Sequence, residues 1–258
     1  MLKFRTVNTI FILLLIGFLL GVAILEFSIW WIFPIVLVWL VITVLGSAKI
    51  GWNYHFESKN SNYQVTENRV AITFDDGPHP EFTPKVLKLL DSFNAKASFF
   101  CIGKHIEAHP EIVKNTISKG HTIGNHTYSH SNSFGFFSTE KVTSELEKTN
   151  AVAKTVIGYS LKLYRPAFGI TNPNIKQALK TTGLQSIGWS KRSFDTTALN
   201  ENQILSRITK NLKKGDVILL HDTSQKTLNV LERLLLFLQE RNYVSVTVDT
   251  LFNIKAYE

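Results

Sequence analysis

One cysteine in 258 residues cannot form an internal bridge, which excludes a disulfide-stapled secreted module. Charged residues are also sparse, at 19%, against 45% apolar, and that balance excludes a disordered or collagen-like chain. There is no internal repeat, low-complexity tract, zinc-finger spacing or RNP-like run. The lysines are scattered rather than clustered, so no nucleic-acid partner is expected despite a formal net charge of +8. Charge is most conspicuously missing near the N-terminus. The 42 residues from Val7 to Ala48 contain one charged side chain, Glu26.

A single helix of that length would extend about 63 Å, roughly twice the hydrocarbon thickness of a bilayer. The run therefore divides into two spans, residues 7–25 and 28–48, joined by a tight turn at Glu26 and Phe27. Trp30 and Trp31 fall where interfacial aromatics would hold that turn. Pro34 lies in the first turns of the second span, where a membrane helix tolerates it. A cleaved signal sequence is the competing reading, since Lys3 and Arg5 resemble its charged start. However, no A-x-A site follows, and a second, longer apolar run comes at once. Lys3, Arg5, Lys49 and Lys59 flank the hairpin, so the positive-inside rule makes the side carrying both ends cytoplasmic. An outward-facing domain is the alternative.

Residues 1–50 thus read as a two-span membrane anchor, and the mean hydropathy of +0.06 averages this anchor with a more polar remainder. Residues 51–69, rich in Asn and Ser, read as a linker. Residues 70–252 read as one catalytic domain, and 253–258 as a tail. The part after the anchor is net +6, which favours approach to anionic headgroups or a carrier phosphate.

Beyond the linker, short apolar runs alternate with amphipathic stretches. Strands are expected at 70–74, 97–101, 121–124, 163–165, 184–188, 217–220 and 244–248. Helices are expected at 84–93, 110–119, 139–157, 174–182, 201–212 and 227–241. Such alternation argues parallel βα units, as an α/β barrel or an open sheet. Asp75, Asp76, His126, His130, Arg165, Asp195, His221 and Asp222 all fall at or beyond strand carboxyl ends, the face where parallel α/β proteins build sites.

Those residues compose a hydrolytic centre. His126 and His130 in HTYSH are four apart, so on a helical turn both imidazoles face one way. With Asp76 they form a two-His, one-carboxylate set that leaves coordination positions open, as catalytic metal sites do. Asp75 is then free to act as general base on attacking water. Arg165 is suited to pair with Asp75 and keep it ionised. His221 is the candidate general acid for the leaving amine, and Asp195 is suited to pair with Arg165 or His221. The reaction class is metal-assisted hydrolysis of an amide or ester.

The segments TFDDGP (73–78), HTYSH (126–130), RPAFG (165–169), WSKRSFDT (189–196) and LLHD (219–222) resemble the five ordered motifs of the polysaccharide deacetylase, or NodB-homology, family of carbohydrate esterases. The resemblance covers roughly residues 69–252. It implies a distorted (β/α) barrel, here preceded by the two-span hairpin. It also implies one divalent cation, Zn2+ or else Co2+, Mn2+ or Ni2+, and removal of an N-acetyl or related acyl group from amino sugars. The family's base matches Asp75, its metal ligands Asp76, His126 and His130, its base-orienting arginine Arg165 and its acid His221. The backbone amide of Phe168 resembles its oxyanion donor. In the third motif Ala167 replaces a proline. In the fourth, Arg192 stands where the family pattern has aspartate and Thr196 where it has tryptophan, while Asp195 is retained. The substitutions imply a thinner apolar wall and a positive rim, with Arg192 suited to an anionic group such as a carrier phosphate.

Further candidate substrate contacts are His79, after the DDGP turn, and Phe136 and Phe137, which with Phe134 suggest an exposed aromatic lip. His55 reads as solvated linker, His105 and His109 as helix residues, and His121, Tyr128 and Cys101 as structural. The expected partners are the bilayer and an N-acetylated cell-envelope glycan or its prenyl-phosphate-linked precursor. The competing functions are an O-acetyl esterase and a non-catalytic, membrane-anchored glycan-binding protein.

Overall fold

The computed structural model describes residues 2–258. Two helices come first, α1 (Phe4–Leu25) and α2 (Ile32–Ala48), the latter entered through a 3-10 turn at Ile29–Trp31. Both stretches are long and apolar enough to cross a membrane, and few of their side chains are buried within the protein. They meet through stacked Phe11 and Trp39 rings, with centroids 5.0 Å apart, and a 2.8 Å hydrogen bond from Trp39 Nε1 to Asn8 Oδ1.

The remainder alternates strand and helix: β1 (Arg69–Asp75), α3 (Phe82–Ser92), β2 (Ala97–Cys101), α4 (Gly103–Ala108), α5 (Pro110–Ser118), β3 (Thr122–Asn125), α6 (Thr139–Ile157), β4 (Leu163–Tyr164), α7 (Pro173–Thr182), β5 (Gln185–Ser186), β6 (Lys191–Arg192), α8 (Glu201–Thr209), β7 (Val217–His221), α9 (Gln225–Glu240), β8 (Val244–Ser245) and α10 (Val248–Phe252). Helix ends follow local chemistry. Asn200 and Gln203 form a reciprocal capping box on α8, Asn172 and Pro173 open α7, and Gly158 and Gly183 close α6 and α7 in left-handed conformation. Several expectations shift. The strand expected at 184–188 keeps only Gln185–Ser186, and the helix expected at 201–212 ends at Thr209. Residues 246–248 leave the sheet, and α10 begins at Val248. The two-residue strand β6 and the one-and-a-half-turn helix α4 are too short to show a period in sequence.

The strands are parallel, in the order β5-β4-β3-β2-β1-β7-β6, with β8 beside the start of β1. β1 is central, and its residues from Val70 onward are all buried, as a strand covered on both faces must be. Because no pairing joins β5 to β6 among the described residues, the expected barrel is an open, curled half-barrel. The polar stretch before β1 lies across that opening. Lys59 N donates to Ser186 O (2.9 Å), Gly188 N to Lys59 O (3.0 Å) and Asn62 N to Gly215 O (2.8 Å).

The same stretch docks the hairpin. Phe4 N donates to Tyr54 O (3.0 Å) and Thr171 N to Ser47 O (2.9 Å), while the His55 ring meets Ser47 Oγ at 2.9 Å through Nε2. Tyr54 lies directly on Gly46, where any Cβ would come within 2.4 Å of the ring. His55 is therefore buried rather than solvated. Burial, reinforced by the charge of Lys176, lowers its pKa to about 4, so it packs as a neutral ring.

Candidate active site

Strand register brings the chemistry together. Asp75 at the end of β1 aligns with His221 at the end of β7. On the other side β2 carries β3, whose last residue, Asn125, aligns with Tyr164 of β4. The residues that follow, His126 and Arg165, consequently emerge on the same rim as Asp75 and Asp76.

Asp76, His126 and His130 present one ligand atom each, all within 4.8 Å of one another. Asp76 Oδ1 lies 3.4 Å from His126 Nε2 and 3.3 Å from His130 Nε2. This buried oxygen has no hydrogen-bond partner, an expensive arrangement unless a cation answers it. His126 Nδ1 donates to Arg165 O at 2.9 Å, which aims the Nε2 lone pair at Asp76, the usual way a ligating imidazole is fixed. Burial opposes ionisation of Asp76, but His126, then His130 and His221, outweigh it and hold the carboxyl well below its ordinary range. His130 is pushed down to about 4 by burial and by the charge of His126, so its ring is neutral and ligand-competent near pH 7. His126 moves the other way, because the carboxylates Asp75 and Asp76 outweigh its burial. A proton and a cation thus compete for its Nε2.

The two histidines do not converge on a helical turn. Residues 126–130 form a loop in which Thr127 (φ 66°) and His130 (φ 49°) are left-handed. Glu145 of α6 supplies the constraint, its carboxylate accepting from Tyr128 N (3.0 Å), Ser129 N (2.7 Å) and Ser129 Oγ. Asp76 (φ 73°), Phe168 (φ 59°) and Phe194 (φ 60°) are left-handed too. Strained backbone of this kind concentrates where side chains must be aimed.

Arg165 is fully buried. Its Nη1 donates to Asp75 Oδ1 (2.9 Å) and Thr73 Oγ1 (2.6 Å), its Nη2 to Gly188 O (2.8 Å) and its Nε to Ile187 O (3.2 Å). The Phe100 ring lies 4.1 Å from its guanidinium carbon. One carboxylate oxygen of Asp75 is thereby occupied, and the other points toward His126, 3.9 Å from Nε2. Across the cleft, Asp195 pairs with His221 rather than with Arg165. His221 Nδ1 lies 2.8 Å from Asp195 Oδ1, and the backbone N of His221 donates to Oδ2 at 2.8 Å. Ser193 Oγ and Thr227 Oγ1 complete the aspartate's coordination. Burial alone would deprotonate His221, but Asp195, then Asp75 and Asp76, raise it to about 9. Among the described residues, nothing accepts from the Phe168 N–H, and its ring sits 4.6 Å from that of His130.

Asp75, Asp76, His126, His130 and His221 line one cleft of about 340 Å3, walled by Phe168, Trp189, Phe194 and Leu219, with Arg192 and Thr196 at its rim, while Arg165 and Asp195 are buried behind it. Thr196 lines the cleft where an indole is absent, and a different indole, that of Trp189, also lines it. Trp189 packs so closely on Gly169 that a Cβ there would lie 2.6 Å from the ring. Phe137 is buried against Phe134 and under Lys141, so of the proposed lip only Phe136, 92% exposed, stands in solvent. His79 is outside the cleft lining. Its Nδ1 accepts from Glu81 N and Phe82 N at the start of α3. Sequence reasoning missed Trp189, Glu145 and His105, whose Nδ1 meets the Asp76 carbonyl at 2.9 Å. The acidic residue 15 positions after HTYSH and the tryptophan opening the fourth motif were the available signals. Asp222 packs beneath the site, hydrogen-bonded by Thr83 Oγ1. A Cβ on Gly77 would come 2.5 Å from its carboxylate.

Comparison with known proteins places the chain in a family. A family profile described as polysaccharide deacetylase matches residues 62–187. A peptidoglycan-N-acetylglucosamine deacetylase of Bacillus cereus is 36% identical over 197 residues, covering 73% of this chain and 90% of the relative. A chitooligosaccharide deacetylase of Azorhizobium caulinodans is 32% identical over 162 residues, covering 62% and 77%. Among solved structures, the Bc1960 peptidoglycan N-acetylglucosamine deacetylase superposes with a TM-score of 0.72 at 32% identity, covering 78% of this chain and 94% of that one. With its parallel half-barrel and the Asp/His/His cluster at the strand ends, the chain belongs to the polysaccharide deacetylase family and is a hydrolase of that class.

Proposed function

We propose that the protein is a membrane-anchored, cation-dependent hydrolase that removes the acetyl group from an N-acetylated amino sugar of a cell-envelope glycan or of its lipid-linked precursor. The observation that carries this reading is the buried, unpartnered Asp76 Oδ1 between two imidazole Nε2 atoms. Asp76, His126 and His130 would hold one divalent cation, and that donor set suits zinc. The bound cation supplies Lewis acidity, polarising the acyl carbonyl and making nearby water more acidic.

The chain's own residues do the rest. Asp75, fixed through one oxygen by Arg165, takes the proton from the attacking water through the other. The unengaged N–H of Phe168 donates to the carbonyl oxygen as it gains charge. His221, held protonated by Asp195, gives its proton to the departing amine. Trp189 and Phe168 exclude water from the acyl group.

The anchor is α1 with residues 29–48, and residues 70–252 form the catalytic unit. Lys3, Arg5 and Lys49 at the hairpin base favour a cytoplasmic catalytic domain, a location suited to a precursor still attached to its lipid. The test is acetate release by the zinc-loaded, full-length protein from chitooligosaccharide, peptidoglycan and a prenyl-phosphate-linked N-acetylhexosamine. Asp75→Asn should lower the rate at least about a thousandfold while the protein still binds one equivalent of zinc. Undiminished acetate release by that variant would refute the assignment.

A further inference from the structure

A second depression adjoins the cleft on the side of the membrane hairpin. It is a groove of about 450 Å3 between the last residues of α2 and the β6–α8 region, and it shares Trp189 and Arg192 with the catalytic cleft. Four of its lining residues are basic: Lys49 from the hairpin exit, Lys191 and Arg192 from β6, and Arg207 from α8. Lys191 is already engaged. Its Nζ donates to Lys210 O (2.7 Å) and Asn211 O (2.9 Å) and lies 3.9 Å from Asp216. Lys49, Arg192 and Arg207 differ, for among the described residues no carboxylate lies within ion-pair distance of any of them.

The two arginines are held together by an aromatic ring. The guanidinium carbons of Arg192 and Arg207 lie 4.6 and 4.5 Å from the centre of Phe194, and Lys49 Nζ lies 5.1 Å from that of Trp52. Two like charges on one ring repel, and the arrangement is relieved by an anion able to accept from both. The fork geometry of guanidinium matches phosphate oxygens. The position is equally restrictive. Lys49 is the residue after α2, at the depth where a span ends and headgroup phosphates begin, and Thr171, three residues beyond Phe168, is hydrogen-bonded to the α2 carbonyl of Ser47. The catalytic rim is thus docked against the end of the hairpin.

We propose that this groove is the phosphate subsite for an amino sugar carried on a membrane-embedded lipid phosphate or diphosphate. Lys49, Arg192 and Arg207 receive the phosphate oxygens while the acylated sugar occupies the adjoining cleft. The proposal rests on the amino-sugar deacetylase reading above and narrows its substrate to a lipid-borne one.

The experiment uses full-length protein in phosphatidylcholine nanodiscs, loaded with zinc, and two substrates. One is N-acetylglucosamine joined to a short prenol through diphosphate, the other the same sugar and prenol joined by a simple glycosidic bond. Wild type should show a kcat/KM at least about tenfold higher for the diphosphate, and Arg192→Gln with Arg207→Gln should bring that ratio to within about twofold of unity. Separately, the sugar-free prenyl diphosphate should bind wild type by calorimetry and lose at least about tenfold in affinity in the double variant, with phosphatidylglycerol failing to displace it. Equal kcat/KM for both substrates in wild type, unchanged diphosphate binding in the double variant, or full displacement by phosphatidylglycerol, which would mark a general headgroup site, each overturns the proposal. Acetate from neither substrate would remove the deacetylase reading alone, and the binding arm would still decide the groove.

Discussion

Asp75 and Asp76 are neighbours in sequence with opposite surroundings. The backbone turns left-handed at Asp76, which carries its carboxylate out to two imidazoles, while Asp75 stays on the strand against Arg165. The adjacent carboxylates of TFDDGP were legible as a division of labour, because two charges side by side at a strand end require separate partners. What sequence left open was Asp195, suited to Arg165 or to His221. Arg165 is already engaged by Asp75, Thr73 and two carbonyls, and Asp195 goes to the histidine. A pH prediction follows for that pair. His221 must be protonated to act as acid, and its raised pKa of about 9 keeps it so at neutral pH, with activity lost as pH rises through that value. Asp195→Asn removes the chief raising partner, so the alkaline limb of the kcat profile should move to lower pH by at least about one unit. An unmoved limb in the variant contradicts the acid role.

Long helices and apolar strands were readable from periodicity and caps, as Thr139–Ile157 between Ser138 and Gly158 illustrates. Loops were not. The spacing of HTYSH suggests a helical turn, but tertiary hydrogen bonds to Glu145 decide its shape, and an acidic residue 15 positions on is a signal that spacing alone does not tie to this loop. Glu145 is therefore a positioning residue with a measurable effect. Glu145→Ala deletes the acceptor for two backbone N–H groups in the loop that carries both histidines. It should weaken zinc affinity about 10- to 100-fold in a chelator competition, with Glu145→Gln retaining part of it. Wild-type affinity in the alanine variant would show that the loop holds its shape unaided.

Across the molecule, the division into two apolar helices and a more polar α/β remainder was legible in one charge in 42 residues. Less evident was the closeness of their connection. Residues 51–69 read as a polar tether, yet they lie across the opening of the half-barrel and bury Tyr54 and His55 against α2. Contacts between segments distant in sequence leave no periodic trace, and so this junction could not be read in advance. In the proposed topology both hairpin ends share the cytoplasmic side. A reporter fused at Glu258 should be active only as a cytoplasmic fusion, and one inserted between Phe27 and Ser28 only as an exported one. The same activity pattern at both positions contradicts two spans, and the reverse pattern would place the domain outside.

The measurement that bears most directly on the account is a metal titration. Full-length protein stripped with chelator should release no acetate from an N-acetylated amino sugar substrate. Activity should then rise linearly with added zinc and level off at one equivalent per chain, while Asp76→Ala shows no such rise. Full acetate release by the stripped protein, or undiminished reconstitution in that variant, would contradict it.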